Sequence, residues 1–110
     1  MGKFEITKRP NGDYHFDLKA RNGKIILSSQ SYTTKSACEK GLESVLINSL
    51  HESSFDRHET GTGKCFFKLI ANNGKIIGTS ELYANLSSME KGIAAVKVNA
   101  PRANIDDLSV

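Results

Sequence analysis

The chain of 110 residues has no tryptophan and contains only two prolines, two cysteines and two methionines. No segment approaches the roughly 18 consecutive apolar residues that a membrane-spanning helix needs, so we expect no membrane association. The amino terminus has no apolar run of the kind that a secretory signal carries, and we therefore expect a cytoplasmic protein. The low proline content, together with an ordinary 38% of apolar residues, excludes a disordered or collagen-like chain.

The two cysteines, Cys38 and Cys65, are too few for a disulfide scaffold and too isolated for a zinc site. We expect both to be free, buried, apolar side chains, with a disulfide between them as the less favoured alternative, and we predict no metal and no cofactor. The excess of positive charge is also small, since 15 basic and 12 acidic residues give a net charge of +3. Acidic and basic residues alternate, which is typical of a mixed, solvated surface.

The dominant feature of the sequence is an internal repeat at an offset of 51 residues. Residues 16–45 overlay residues 67–96 without a gap, and 15 of the 30 positions are identical. We therefore divide the chain into two repeats, residues 4–54 and residues 55–105, and expect them to form a single domain over residues 1–110. The identical positions include an Asn-Gly-Lys-Ile-Ile run at residues 22–26 and 73–77, Tyr32 and Tyr83, and Glu-Lys-Gly at residues 39–41 and 90–92.

Within each repeat, the sequence patterns predict three strands followed by a helix. Apolar and polar side chains alternate over residues 14–20, which is the period of a strand with one face in a core. The Asn-Gly pair that follows predicts a hairpin with a type I′ turn. A Ser-x-x-Glu sequence then predicts a capping box, with Ser36 and Ser87 as the N-caps. Gly41 and Gly92 occupy matching mid-helix positions, where glycine costs about 1 kcal/mol relative to alanine, so we expect the helix backbone to approach the sheet closely there.

The size of the repeats determines how they must combine. A unit of about 50 residues is marginal by itself, and two units are too few for a solenoid. We therefore predict an α+β fold in which two tandem β-β-β-α repeats form one antiparallel sheet. Both helices would pack on one face of this sheet, with a pseudo-twofold axis between the repeats, and we expect the protein to be a monomer.

Both repeats contain a Leu-x-Ala-x-Asn-Gly-Lys-Ile-Ile motif followed by a serine and a tyrosine, at residues 18–32 and 69–83. In this motif the chain resembles the YegP-like family of small, mostly bacterial proteins, which often carry the segment in tandem and are uncharacterised in function. The resemblance implies a β-β-β-α-β unit whose short C-terminal strands are exchanged between the two halves. Here those strands would lie near residues 50–53 and 103–106. The resemblance implies no activity, cofactor or catalytic residue.

The candidate binding residues lie on the outward side of the central strands, and they are Lys19, Arg21, Phe66, Lys68 and Ile70. If both helices cover the other side, an exposed aromatic ring would lie beside basic side chains, as on several RNA-binding sheets. The alternatives are that tails or a partner subunit cover this face, or that it is ordinary exposed surface.

The repeated tyrosines have two interpretations as well. We expect the rings of Tyr32 and Tyr83 to pack under a loop, and the alternative is that they line a ligand groove. No residues have the spacing of a catalytic centre, so we expect that the protein is not an enzyme. The sequence thus favours a small non-enzymatic interaction module with an unidentified protein partner. Weak RNA binding through the open sheet face is the alternative. A ligand binder or enzyme with a cleft at the pseudo-twofold axis is the least favoured hypothesis.

Overall fold

A computed structural model describes residues 2–110, which form one seven-stranded sheet with two helices on one face. The strand order across the sheet is β4-β5-β6-β3-β2-β1-β7. The α+β fold with both helices on one face is thereby confirmed. Neither helix is long and apolar enough to cross a membrane. The elements are β1 (Lys3–Lys8), β2 (Tyr14–Lys19), β3 (Ile25–Ser29), α1 (Lys35–Asn48), β4 (Phe55–Glu59), β5 (Cys65–Ile70), β6 (Ile76–Thr79), α2 (Leu86–Asn99) and β7 (Asn104–Asp107).

The two repeats meet at the centre of the sheet, where β3 and β6 pair antiparallel with Ser28 opposite Thr79. The core repeats the same packing on either side of this junction. Phe4 meets Phe16 edge-on with ring centroids 5.8 Å apart, and the corresponding pair of the second repeat has the same separation. The order β4-β5-β6 on one side of the antiparallel β3–β6 pair mirrors β1-β2-β3 on the other, which gives the pseudo-twofold relation that the repeat predicts.

Each helix covers the core with one apolar stripe. Cys38 is fully buried under α1, and Cys65 is buried on β5. Both thiols are free, which confirms the role predicted for the two cysteines. The buried apolar residues of the helices are Cys38, Leu42 and Val45 in α1 and Met89, Ile93 and Val96 in α2.

The β2–β3 and β5–β6 hairpins close with a longer turn than the sequence predicts. Gly23 and Gly74 each have a φ of +84°, whereas no non-glycine residue within residues 2–110 has a positive φ. Asn22 instead accepts a hydrogen bond at Oδ1 from the backbone N–H of Lys24, at 3.0 Å. A three-residue loop ending in a left-handed glycine therefore replaces the two-residue type I′ turn. The hairpins are confirmed, and the predicted turn type is wrong.

The helices begin earlier than the predicted capping boxes. The side-chain oxygen of Thr34 accepts the N–H of Ala37 at 3.1 Å, and Asn85 caps α2 in the same way at 2.8 Å. Thr34 has the extended backbone that an N-cap requires, with φ −129° and ψ 153°. The predicted N-caps, Ser36 and Ser87, are wrong because both residues lie inside the first helical turn.

The exchanged C-terminal strand of the second repeat is confirmed. β7 pairs with β1 of the first repeat, with Ile105 opposite Phe4. The N–H of Leu108 donates to the carbonyl of Ile6 at 2.8 Å. This pair is parallel, so one edge of the otherwise antiparallel sheet departs from the predicted arrangement.

The corresponding strand predicted near residues 50–53 is wrong. Glu52–Ser54 form a single 3-10 turn, and the chain enters β4 directly at Phe55. Parallel neighbours joined along the chain need a crossover of about a dozen residues, so a strand at this position could not also pair with β4. Beside β4, Arg57 donates from Nε to Glu90 at 2.5 Å, so this glutamate binds a neighbouring strand instead of capping α2.

Candidate functional site

The predicted binding residues of β5 lie together on the open face of the sheet. Phe66, Lys68 and Ile70 are all half-buried. The ring of Phe66 stacks on His58 with centroids 4.9 Å apart, and the Nζ of Lys68 lies 6.0 Å from the centre of the same ring. One face of the aromatic ring is therefore covered by histidine and is not free to stack on a base.

The other two predicted residues lie elsewhere. Lys19 is on β2, separated from β5 by β3 and β6, and its Nζ binds Glu5 at 2.6 Å. Arg21 is in the β2–β3 turn, where it lines a hollow with Asn99 and Arg102 at the end of α2. The structure therefore does not bring the five residues into one patch, and their binding role stays a prediction.

The charge of the open face does not favour phosphate. Residues that pair across neighbouring strands project from the same face, and one such row crosses all seven strands. The row contains four carboxylates and a single lysine. Two further lysines of this face, Lys3 and Lys19, both bind Glu5. The face therefore lacks the basic excess that binding to a nucleic-acid backbone requires. The members of the row, from β4 to β7, are Asp56, Lys68, Thr79, Ser28, Asp17, Glu5 and Asp106.

On the opposite side of the sheet, each repeated tyrosine packs against the helix of its own repeat. Tyr32 stacks on Phe16 with ring centroids 6.5 Å apart. Its hydroxyl lies over Gly41 of α1, so closely that a Cβ at this glycine would overlap the phenol. Tyr83 has the same relation to Gly92. The rings are packed, as expected, but against a core phenylalanine and a helix rather than under a loop. The close approach at the two glycines is made by tyrosine rather than by the sheet backbone.

The same tyrosines also line a pair of clefts between the repeats. The first cleft, of about 290 Å³, lies between the β2–β3 turn of the first repeat and α2 of the second. Its lining residues are Ala20, Asn22, Lys24, Ile26, Tyr83, Ser88, Lys91, Gly92 and Ala95. The second cleft, of about 410 Å³, lies between the β5–β6 turn and α1. Its lining residues are Gln30, Tyr32, Ala37, Lys40, Gly41, Ser44, Ala71, Asn73, Lys75, Ile76 and Ile77.

The two clefts are one site present twice. Each of the nine residues of the first cleft has its counterpart, at the offset of 51, among the residues of the second. Seven of these nine pairs are identical, although only half of the aligned positions of the repeats are. Each cleft combines the turn of one repeat with the tyrosine and helix of the other, so both repeats are needed to build either cleft.

A bulge in the sheet shapes the floor of each cleft. The register between β2 and β3 shifts after Leu18, so that Ile26 is the extra residue of its strand. A bulge re-aims a side chain relative to its neighbours, and Ile26 is buried at the base of the first cleft. Ile77 repeats this arrangement in the second cleft.

The fold accounts for most of the shared cleft residues, but not for the lysines. Asparagine and glycine shape the turn, and the helix glycine makes room for the tyrosine. Among residues 2–110, no carboxylate lies within 4.0 Å of the Nζ of Lys40, Lys75 or Lys91. Lys24 is the exception, since it binds Glu81 at 3.1 Å.

The polar groups of the clefts are hydrogen-bond donors. Burial raises the pKa of both Tyr32 and Tyr83, so each hydroxyl keeps its proton. Asn73 uses Oδ1 to accept the N–H of Lys75, which leaves its amide NH₂ group as a donor. Lysine ammonium groups complete a site that offers positive charge and donors to an anion. Sequence reasoning missed the cleft lysines, although their identity between the repeats was the signal that could have found them.

The comparison with known proteins agrees with the repeat. Residues 10–56 and residues 62–107 each match the family model described as Domain of unknown function (DUF1508). The chain belongs to the DUF1508 family. The curated relatives of this DUF1508 protein include the UPF0339 protein YegP of Escherichia coli K12, which is 42% identical over 106 residues covering 96% of each chain. YegP of Yersinia pestis is 42% identical over 110 residues, covering 100% of this chain and 98% of the relative.

Two solved structures share the fold of this DUF1508 protein. The solution NMR structure of yegP from E. coli, described as a protein of unknown function, matches with a TM-score of 0.93 at 42% identity, covering 98% of this chain and 93% of that one. A UPF0339 protein from Shewanella oneidensis matches with a TM-score of 0.94 at 39% identity, covering 98% and 92%. The resemblance to YegP-like proteins is confirmed, and the family is one of unknown function.

Proposed function

We propose that this DUF1508 protein is a non-enzymatic binding protein whose two repeat-related clefts hold its ligand. One observation carries the proposal: the lysines that both repeats share converge on these clefts, and three of the four (Lys40, Lys75 and Lys91) have no carboxylate within 4.0 Å among residues 2–110. Small-molecule sites are concave, with apolar walls and a few convergent polar groups, and each cleft has this composition. The proposal keeps the non-enzymatic role favoured by the sequence and moves the binding surface to the helix side of the sheet.

The chemistry of the clefts supports binding rather than turnover. A general base or a nucleophile must be able to lose its proton near neutral pH. The tyrosines of the clefts hold their protons more tightly than usual because burial raises their pKa. Cys38 lies on the buried side of α1, where burial raises the pKa of its thiol to about 11. The groups in and beneath the clefts are thus suited to hold a ligand and poorly suited to attack one.

An NMR screen tests the proposal. The ¹⁵N-labelled protein is titrated with a library of cationic, neutral and anionic small molecules. We expect at least one class to shift amides around the clefts, with Gly41 and Gly74 reporting the second cleft. The double variant Lys40→Gln/Lys75→Gln should lose those shifts. The control Lys64→Gln, which removes one positive charge from an exposed turn, should keep them, and each single variant, Lys40→Gln or Lys75→Gln, should weaken them.

Two results would contradict the proposal. One is a set of shifts confined to the open sheet face around Phe66 and Lys68, which would return the binding site to the surface predicted from the sequence. The other is reproducible turnover of a library member by the purified protein, which would make the protein an enzyme.

A further inference from the structure

The lysines of the two clefts differ in one ion pair. In the first cleft, the Nζ of Lys24 binds the carboxylate of Glu81 at 3.1 Å. The residue that corresponds to Glu81 at the offset of 51 is Gln30, which lines the second cleft. The second cleft therefore presents Lys40 and Lys75 without an internal counter-ion, whereas the first carries its own.

We propose that the second cleft binds the phosphate group of a small phosphomonoester between Lys40 and Lys75, and that the first cleft is a weaker copy of the same site. This inference rests on the proposed function and adds the chemical class of the ligand and the relative affinities of the two clefts. The ligand remains intact, because the interaction is electrostatic and hydrogen-bonded.

A phosphomonoester fits the donors of the second cleft. It carries a charge of about −1.5 to −2 at pH 7 and three acceptor oxygens. Lysine is a compact positive charge with three donors, so two lysines can neutralise the dianion. The hydroxyl of Tyr32 and the amide of Asn73 supply further donors. A neutral ligand would leave both ammonium groups without a counter-charge.

The walls of the second cleft indicate that the phosphate is attached to an organic group. Ala71, Ile76 and Ile77 line the cleft beside the lysines. Ile76 is 36% exposed, so it offers apolar surface that a ligand can cover. Covering apolar surface is favourable, and inorganic phosphate cannot obtain this contribution. An aryl or alkyl phosphate should therefore bind more tightly than inorganic phosphate.

Glu81 weakens the first cleft in two ways. Its carboxylate already occupies Lys24, and it would repel a second anion that enters beside it. From the contribution of one exposed ion pair, we expect a phosphomonoester to bind the second cleft about two- to fivefold more tightly than the first. Added salt should reduce binding at both clefts.

The test uses phenyl phosphate, inorganic phosphate and benzyl alcohol, each titrated into the ¹⁵N-labelled full chain. The amides of Gly41 and Gly74 report the second cleft, and those of Gly23 and Gly92 report the first. We expect phenyl phosphate to shift the second set at lower concentration than the first. Inorganic phosphate should also prefer the second cleft, with lower affinity than phenyl phosphate. Benzyl alcohol should bind neither cleft strongly.

Two charge variants make the inference specific to position 81 and its counterpart. Glu81→Gln should bring the two dissociation constants for phenyl phosphate close to equality, since it releases Lys24 from the ion pair that distinguishes the lysines of the two clefts. Gln30→Glu should raise the dissociation constant of the second cleft for phenyl phosphate to about that of the first cleft. Both positions are outside the core, and unchanged amide spectra in the absence of ligand confirm that each variant is folded.

The outcomes separate this inference from the proposed function. Equal affinities in the two clefts, or an order that Glu81→Gln does not change, overturn the inference. Binding of neutral probes at the clefts without binding of phenyl phosphate also overturns it, while the proposed function stands. If no probe of any charge shifts amides at either cleft, the proposed function and the inference both fail.

Discussion

The hydroxyl of Tyr32 lies directly over the Cα of Gly41, and the two residues fit together only because this helix position has no side chain. The hydroxyl end of the tyrosine occupies the place of a Cβ, the ring stacks on Phe16, and Tyr32 lines the second cleft. A glycine that weakens the helix is thus the condition for building the cleft. The same relation between Tyr83 and Gly92 shows that both repeats depend on it.

Replacing Gly41 by alanine should therefore destabilise the protein, although alanine is the better helix former. The overlap with Tyr32 should cost roughly 1–3 kcal/mol, which exceeds the gain of about 1 kcal/mol in helix propensity. Urea unfolding measures the balance as a lower midpoint. In a Tyr32→Leu background, the same Gly41→Ala change should become neutral or stabilising.

Gly61 provides the matched control, because a Cβ there would meet no atom within 4 Å. Gly61→Ala should change the free energy of unfolding by less than about 0.5 kcal/mol. A Gly41→Ala variant that is more stable than the wild type would show that the tyrosine moves aside at no cost.

The thiols of Cys38 and Cys65 should be unreactive in the folded protein. Both are buried, and burial raises the pKa of Cys38 to about 11, so that little of it is thiolate at neutral pH. Mass spectrometry after iodoacetamide treatment at pH 7.5 should show no label without denaturant and two labels in urea. Rapid labelling of Cys38 under native conditions would contradict the burial that the fold gives it.

Much of this architecture follows from the internal repeat alone. Alternation over residues 14–20 places Phe16 and Leu18 in the core, where the structure buries both completely. The marginal size of each repeat predicts a shared sheet, and the β3–β6 pair supplies it. Burial and periodicity are local signals, so they can be recognised without knowing which elements meet.

The details that the sequence did not reveal depend on contacts between distant elements. Comparison of the repeats aligns Lys24 with Lys75, yet in the clefts Lys24 lies with Lys91. Lys24 and Lys91 share a cleft because of the register between β3 and β6, and no local sequence pattern encodes that register. The strand that the family resemblance implied near residues 50–53 is absent for a related reason, since the short connection into β4 leaves no room for a crossover.

The docking of β7 onto β1 should depend on pH through Asp107. Lys35 binds this carboxylate and, with hydrogen bonds from Ser109, lowers its pKa from 3.8 to about 2. Because the folded pKa is the lower one, the carboxylate stabilises docking above the unfolded pKa, and this contribution is lost as the pH falls from 3.8 towards 2. At pH 7, Asp107→Asn should remove it.

Hydrogen exchange of the Leu108 amide, which donates to the carbonyl of Ile6, measures the docking. We expect exchange to become about two- to fivefold faster in Asp107→Asn at pH 7. The control is Asp106→Asn on the same strand, where the carboxylate is 3.9 Å from Lys3 and should matter less. Equal effects of the two substitutions would show that the pair with Lys35 does not hold the strand.

A fragment that contains only the second repeat should form a dimer in which β7 is exchanged between the two molecules. This fragment spans residues 55–110, and in it β4 is the counterpart of β1. In a dimer of this fragment, the β7 of each molecule can pair with the β4 of the other. The two β6 strands can pair with each other, in place of the β3–β6 pair of the full chain. No connection within the fragment obstructs this arrangement, unlike the short link before Phe55 in the full chain. We therefore expect the fragment to be unfolded when dilute and to fold as a twofold dimer as its concentration rises.

The dimer should be weak because the second repeat lacks two contacts that β7 makes in the full chain. In the full chain, Ile6 packs near Ile105, but the corresponding residue of the second repeat is Arg57. Likewise, Lys35 binds Asp107, but the corresponding residue of the second repeat is Leu86. Sedimentation and circular dichroism over a concentration series should show helix formation and dimerisation together. The substitution Leu86→Lys restores the missing ion pair and should shift the midpoint to lower concentration. A fragment that unfolds cooperatively as a monomer would show that one repeat contains a sufficient core, and the shared sheet would then not be what stabilises the fold.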